Sequence, residues 1–93
     1  MSILMDIITA IFRFVGGKKS MDAVGRSLDA SAEVASEKLD WRNSIVDLLK
    51  LTGQDSSLEA RKKLAVELGY TGELHGSAEM NMWLHQKVME GLR

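Results

Sequence analysis

Leu39-Asp40-Trp41-Arg42-Asn43-Ser44-Ile45-Val46-Asp47-Leu48-Leu49-Lys50-Leu51-Thr52-Gly53 is the stretch that decides the fold. Trp41, Ile45, Leu48 and Leu49 recur at helical intervals, which places them on one face of a helix. Asp40 stands where an N-cap is needed, since its carboxylate can accept from the free N–H groups of a first turn. Gly53 stands where the chain leaves the helix, a position that favours a residue free to turn left-handed. The spacing predicts a helix from Asp40 to about Leu51 with one apolar face.

Two further helices follow by the same reasoning. Ser56 with Glu59 forms a capping box, opening a helix that runs to Leu68 and is closed by Gly69. Its apolar stripe is Ala60, Leu64, Ala65 and Leu68. Residues 70–76, Tyr-Thr-Gly-Glu-Leu-His-Gly, read as a turn-rich loop. Ser77 caps a last helix, with Met80, Trp83, Leu84 and Val88 along one face. The 93 residues include no proline to break a helix and no cysteine to form a disulfide or a thiolate site. Residues 39–93 are therefore expected to form a compact three-helix bundle in an all-α chain.

Upstream the pattern weakens. Ser20 reads as the N-cap of a helix from Met21 to Ala30, with Met21, Val24 and Leu28 apolar and Gly25 a weak point. Residues 31–38 are polar enough to be frayed helix or loop. Gly16-Gly17-Lys18-Lys19 reads as a linker. Before it, Ser2 caps a helix to Val15, in which Asp6, Thr9 and Arg13 make one narrow polar stripe. Ile3, Leu4, Ile7, Ile8, Ile11, Phe12, Phe14 and Val15 occupy nearly everything else. The expected organisation is a separate apolar N-terminal helix (1–17), a linker with a weak helix (18–38) and the bundle (39–93).

The run from Leu39 to Lys50, then Asp55-Ser56-Ser57-Leu58-Glu59-Ala60-Arg61-Lys62, Glu67-Leu68-Gly69-Tyr70 and Gly76-Ser77-Ala78-Glu79-Met80-Asn81-Met82-Trp83-Leu84-His85, together resemble the bacterial DUF3597 family. These are small proteins with no assigned function. The opening Met1-Ser2-Ile3, with Ile11-Phe12 later, resembles the apolar start common in that family. The resemblance implies a bacterial origin and a helical C-terminal domain behind a distinct N-terminal segment, and it implies no activity. The chain departs from the family pattern in having no proline in its linker and in stopping at Arg93, where relatives often run on into a polar tail.

Charge excludes little beyond a general nucleic-acid binder. The net charge is −1. Residues 1–20 carry an excess of base (Arg13, Lys18, Lys19 against Asp6), and residues 21–37 an excess of acid (Asp22, Asp29, Glu33, Glu37 against Arg26). Residues 38–93 balance, leaving no net field to steer a charged ligand. The apolar run Ile3–Val15 would span about 20 Å as a helix, short of a ~30 Å hydrocarbon core. Its positive charges follow it rather than precede it, so it reads as neither a signal peptide nor a membrane span.

Candidate chemistry is sparse. His75 and His85 have no converging partners of the kind zinc needs. Ser2, Ser20, Ser56 and Ser77 are explained as caps, and no serine, histidine and carboxylate are spaced as a triad. Gly69, Gly72 and Gly76 lack the lysine and preceding strand of a phosphate loop. Trp41 and Trp83 read as core fillers. The turn at Gly53, followed by Arg61, Lys62 and Lys63, is reminiscent of a helix-turn-helix, but Glu59 and Glu67 stand where they pair with Lys63 along the helix. No enzyme activity, metal or cofactor is expected. What remains is the excess apolar surface of Ile3, Leu4, Ile7, Ile8, Ile11, Phe12, Phe14 and Val15. It can pack on the bundle as core, dock on a protein partner or a second copy, or lie on an anionic membrane surface. The first expectation is a non-enzymatic protein-interaction module. The alternatives are a peripheral membrane-associated protein and a helix-turn-helix-like DNA binder. The expected location is cytoplasmic, with contact at the inner membrane in the membrane reading.

Overall fold

Among the described residues five helices make up the fold: α1 (Ile3–Phe14), α2 (Met21–Glu33), α3 (Ile45–Leu51), α4 (Leu58–Glu67) and α5 (Ala78–Leu92). They come from a computed structural model that describes residues 2–17 and 20–93. Met1, together with Lys18 and Lys19 of the expected linker, lies outside the described residues. Among the described residues there is no strand, so the all-α expectation holds. The radius of gyration is 12.7 Å, against about 12 Å for a compact domain of this length.

The caps follow the sequence closely at three helices. Ser2, Ser20 and Ser77 are extended residues whose hydroxyls accept from the N–H groups of Met5, Ala23 and Met80. Gly53 and Gly69 close α3 and α4 at positive φ. In each case the next residue reaches back to make the longer bond of a Schellman motif, Gln54 N–H to Leu49 and Tyr70 N–H to Ala65. Gly17 does the same for α1 through the Phe12 carbonyl.

Two caps differ from expectation. Helix α3 begins after Ser44, not Asp40. Residues 41–43 form a turn of their own, closed by the Ser44 N–H on the Asp40 carbonyl at 2.9 Å. Ser44 is then extended, and its hydroxyl accepts from Asp47 N–H. Asp40 instead donates its N–H to the Asp47 carboxylate at 2.8 Å. Helix α4 is capped by Ser57 rather than Ser56, because Asp55 accepts the Ser57 N–H and holds the chain extended for one residue more. The expected box with Glu59 is therefore not formed. Helix α2 also runs past Ala30 to Glu33, taking in part of the stretch expected to fray.

Helix α5 packs against α1, α3 and α4, while α1 also packs on α4 and α2 on α3. The N-terminal helix is not separate: Ile8, Ile11 and Val15 sit in one apolar cluster with Trp41, Leu48, Leu64, Leu84 and Val88. A chain this small has little apolar area to spare, and burying each such side chain contributes about 1.5–3 kcal/mol. The narrow polar stripe of α1 allows this, since the opposite face is apolar along its whole length. Helix α1 approaches α5 closely at Gly91, where any Cβ would run into Ile8 Cδ1.

Gly25 has room for a side chain. A Cβ there would sit 3.5 Å from Arg42 Nη2 and 3.7 Å from Trp41 Cη2, ordinary contact distances. Gly25→Ala should therefore raise stability by about 0.5–1 kcal/mol, by removing the backbone entropy cost of a mid-helix glycine. Urea unfolding measures this, and a loss of stability would mean that α2 packs more tightly on Trp41 than described.

Candidate functional site

The apolar residues singled out on α1 divide by depth. Ile8, Ile11 and Val15 are buried, and Ile3, Leu4, Ile7 and Phe12 are partly buried against the core. Phe14 remains 43 % exposed. It lines a groove of ≈ 630 Å³ with Val34, Leu39 and Leu51, formed where the ends of α1 and α2 meet α3. Val34, the C-cap of α2, is 84 % exposed. Lys50 and Glu37 border the groove and pair with each other at 3.4 Å.

The N-terminus of α1 is held by a side chain from another helix. Glu67, at the end of α4, accepts the N–H groups of Ile3 at 2.6 Å and Leu4 at 2.9 Å, and the Ser2 hydroxyl at 3.4 Å. Free N–H groups and the positive end of the helix dipole both favour a carboxylate here. These bonds from Ile3 and then Leu4 hold the Glu67 carboxyl below its ordinary range. The expected pairing of Lys63 with Glu59 and Glu67 along α4 is not made, and Glu67 is spent on α1 instead.

Trp41 is fastened on two sides. Its indole N–H donates to Asp29 of α2 at 3.1 Å, and Arg42 donates to the other oxygen of Asp29 at 2.7 Å while stacking 4.4 Å from the Trp41 ring. The Arg42 hydrogen bond, followed by that of Trp41, lowers the Asp29 pKa. From α5, His85 Nε2 meets the Trp41 carbonyl at 2.8 Å across 44 positions of sequence. Trp83, by contrast, is only partly buried; its ring lies 5.0 Å from Tyr70, with Lys87 over its face at 5.4 Å.

The remaining candidates are not brought together. His75 pairs with Glu73 at 3.2 Å on an exposed loop. Among the described residues no three of His, Asp or Glu gather closely enough to hold a metal ion. Arg61, a candidate for phosphate contact, donates to the Ser56 carbonyl at 3.1 Å and to Asn81 at 2.7 Å, tying the start of α4 to α5. Among the described residues no helix is long and apolar enough to cross a membrane.

Comparison with known proteins gives a family and no activity. A family model described as a domain of unknown function, DUF3597, matches residues 14–93. The solution structure of a conserved unknown protein from Rhodopseudomonas palustris is similar at 40 % identity and a TM-score of 0.69. That likeness covers 98 % of this chain and 89 % of the other, so it takes in α1 as well as the part matched by the family model. No curated protein matches the chain.

The Glu67 contact sets a pH dependence with a definite sign. A carboxylate whose pKa is lowered on folding adds stability above its unfolded pKa, and that stability is lost as pH falls through the folded value. Glu67→Gln should therefore melt below wild type at neutral pH, with the two converging once the pH falls below the usual carboxylate range. A constant gap down to acid pH would show that the charge of Glu67 adds nothing.

Proposed function

The chain belongs to the DUF3597 family, and we propose that it is a non-enzymatic protein-interaction module whose docking face is the groove beside Phe14 and Val34. In this reading α3, α4 and α5 form the supporting bundle, and α1 adds both core and one wall of the face. The observation that carries it is the exposure of Phe14, the last residue of α1, and Val34, the C-cap of α2, around one groove, with Leu39 and Leu51 as further apolar lining. Covering two such side chains is worth about 1.5–3 kcal/mol each, enough to anchor a partner when polar contacts surround them. Helical groove recognition is the mode such a surface suits best.

The test is site-specific photocrosslinking in the cell of origin, with the reactive residue at position 14 and, as a control, at position 66. The proposal expects a discrete adduct from position 14, lost when Val34 is changed to Asp, and none of the same mass from position 66. Adducts that are the same from both positions, or unaffected by Val34→Asp, would remove this face as the docking site.

A peripheral membrane role has one specific observation in its favour. Val66 is 63 % exposed, and it lines an apolar groove together with Ile3, Lys62 and Lys63. Glu59 and Glu67 line the same groove and offset its positive charge, which is why this reading ranks second. If it holds, the chain will sediment with anionic vesicles at low salt, and Lys62→Glu with Lys63→Glu will abolish that. Absence of wild-type sedimentation sinks it.

A further inference from the structure

The outer face of α1 carries charge that the fold leaves unused. Asp6, Thr9 and Arg13, the polar stripe of the helix, are all exposed, on the side opposite the buried Ile8, Ile11 and Val15. Two helical turns separate Asp6 from Arg13, about 10 Å along the axis, so they do not pair with each other. Among the described residues neither belongs to an ion pair. Between them lie Thr9 and Ala10, short side chains that let another helix come close. A groove of ≈ 690 Å³ opens along this face, between α1 and Thr52, the C-cap of α3, with Asp6, Arg13 and Phe14 in its lining. Met5, 55 % exposed, and Phe14 lie on opposite flanks of the face.

The order of these residues is its own complement. Asp6 and Arg13 stand equally far from the midpoint between Thr9 and Ala10, and they carry opposite charges. A two-fold axis beside that midpoint, at right angles to the helix, lays a second α1 antiparallel on the first. Asp6 then faces Arg13 of the second copy, Arg13 faces Asp6 of the second copy, and the short side chains meet at the centre. A parallel arrangement would set Asp6 against Asp6 and Arg13 against Arg13, so charge selects the antiparallel one. An unrelated partner has no reason to carry this charge order, whereas a second copy carries it of necessity.

We propose that the chain forms an antiparallel two-fold dimer through the outer face of α1, held in register by two Asp6–Arg13 pairs. Exposed ion pairs alone hold little, and Phe14 and Met5 supply the apolar cover along the flanks. The inner face of α1 stays in the core, so the dimer needs no change of fold. It uses Phe14 but not Val34, Leu39 or Leu51, so it goes beyond the docking face proposed above, and the two can fail separately.

The test is sedimentation equilibrium of the full chain over a concentration series up to about 1 mM, in low and high salt. The expected result is a monomer–dimer equilibrium that high salt weakens. Asp6→Arg makes the face wholly basic and Arg13→Asp makes it wholly acidic, so each alone should weaken dimerisation by about tenfold or more. An equimolar mixture of these two variants should dimerise again, as should the chain carrying both changes. Thr9→Arg puts bulk and like charge at the axis and should break the dimer by a third route. All three positions are exposed, and far-UV circular dichroism checks that each variant keeps its helices. Val34→Asp should leave the equilibrium unchanged. A wild type that stays monomeric throughout overturns the proposal and leaves the Phe14–Val34 face standing. A dimer that the charge variants leave intact, a mixture that stays monomeric, or a dimer broken by Val34→Asp overturns it as well, because the second copy then sits elsewhere.

Discussion

Burial of one face of α1 is the constraint on which the rest of the structure depends. A chain of this length has barely enough apolar surface to hold one core, and it has no disulfide to help. Ile8 and Ile11 sit in the same buried cluster as Leu64 of α4 and Leu84 and Val88 of α5. Two features outside α1 make the packing possible. Gly91 removes the side chain that would keep α1 away from α5, and Glu67 supplies acceptors for the N–H groups that the first turn of α1 cannot pair within itself. Once α1 is docked, most of its apolar surface is spent, and Phe14 at its far end is left facing outward beside Val34. The candidate docking face is therefore a remainder of core formation rather than a whole unpartnered helix.

Trp41 performs the second joining task. Helix α2 packs on α3, and the link at its end is polar: the indole N–H and the Arg42 guanidinium share the two oxygens of Asp29. On the other side the Trp41 carbonyl is held by His85. A large side chain buried without a polar partner for its N–H would lose much of what its area gains.

Local signals in the sequence were enough to place the five helices. Serines at positions 2, 20 and 77, and glycines at 53 and 69, act through bonds to neighbouring residues, so their roles can be read without knowing the fold. Helix α3 shows the limit of such reading. Asp40 and Ser44 are both competent caps, and the choice depends on Trp41 reaching the core as part of a turn, a tertiary demand that periodicity does not express. Ser56 and Ser57 pose the same problem one residue apart, settled by Asp55. The contacts that matter most to the candidate sites were not legible at all. Glu67 looked like a partner for Lys63 within its own helix, and His85 looked like a stray histidine. Their partners, Ile3 and Trp41, lie 64 and 44 positions away.

Membership of the DUF3597 family gives the fold a lineage without a task, and the relative from Rhodopseudomonas palustris shares nearly the whole chain, α1 included. Whether α1 belongs to the cooperative core is the point on which the account rests, because a detachable α1 would expose Ile8 and Ile11 and move the interaction surface to its whole inner face. Native-state amide exchange decides it. The account predicts that the amides of Ile11 in α1 and Leu84 in α5 exchange only through the same global opening, with equal free energies and equal urea dependence. Exchange at Ile11 through a much smaller opening, with Leu84 still fully protected, would contradict it.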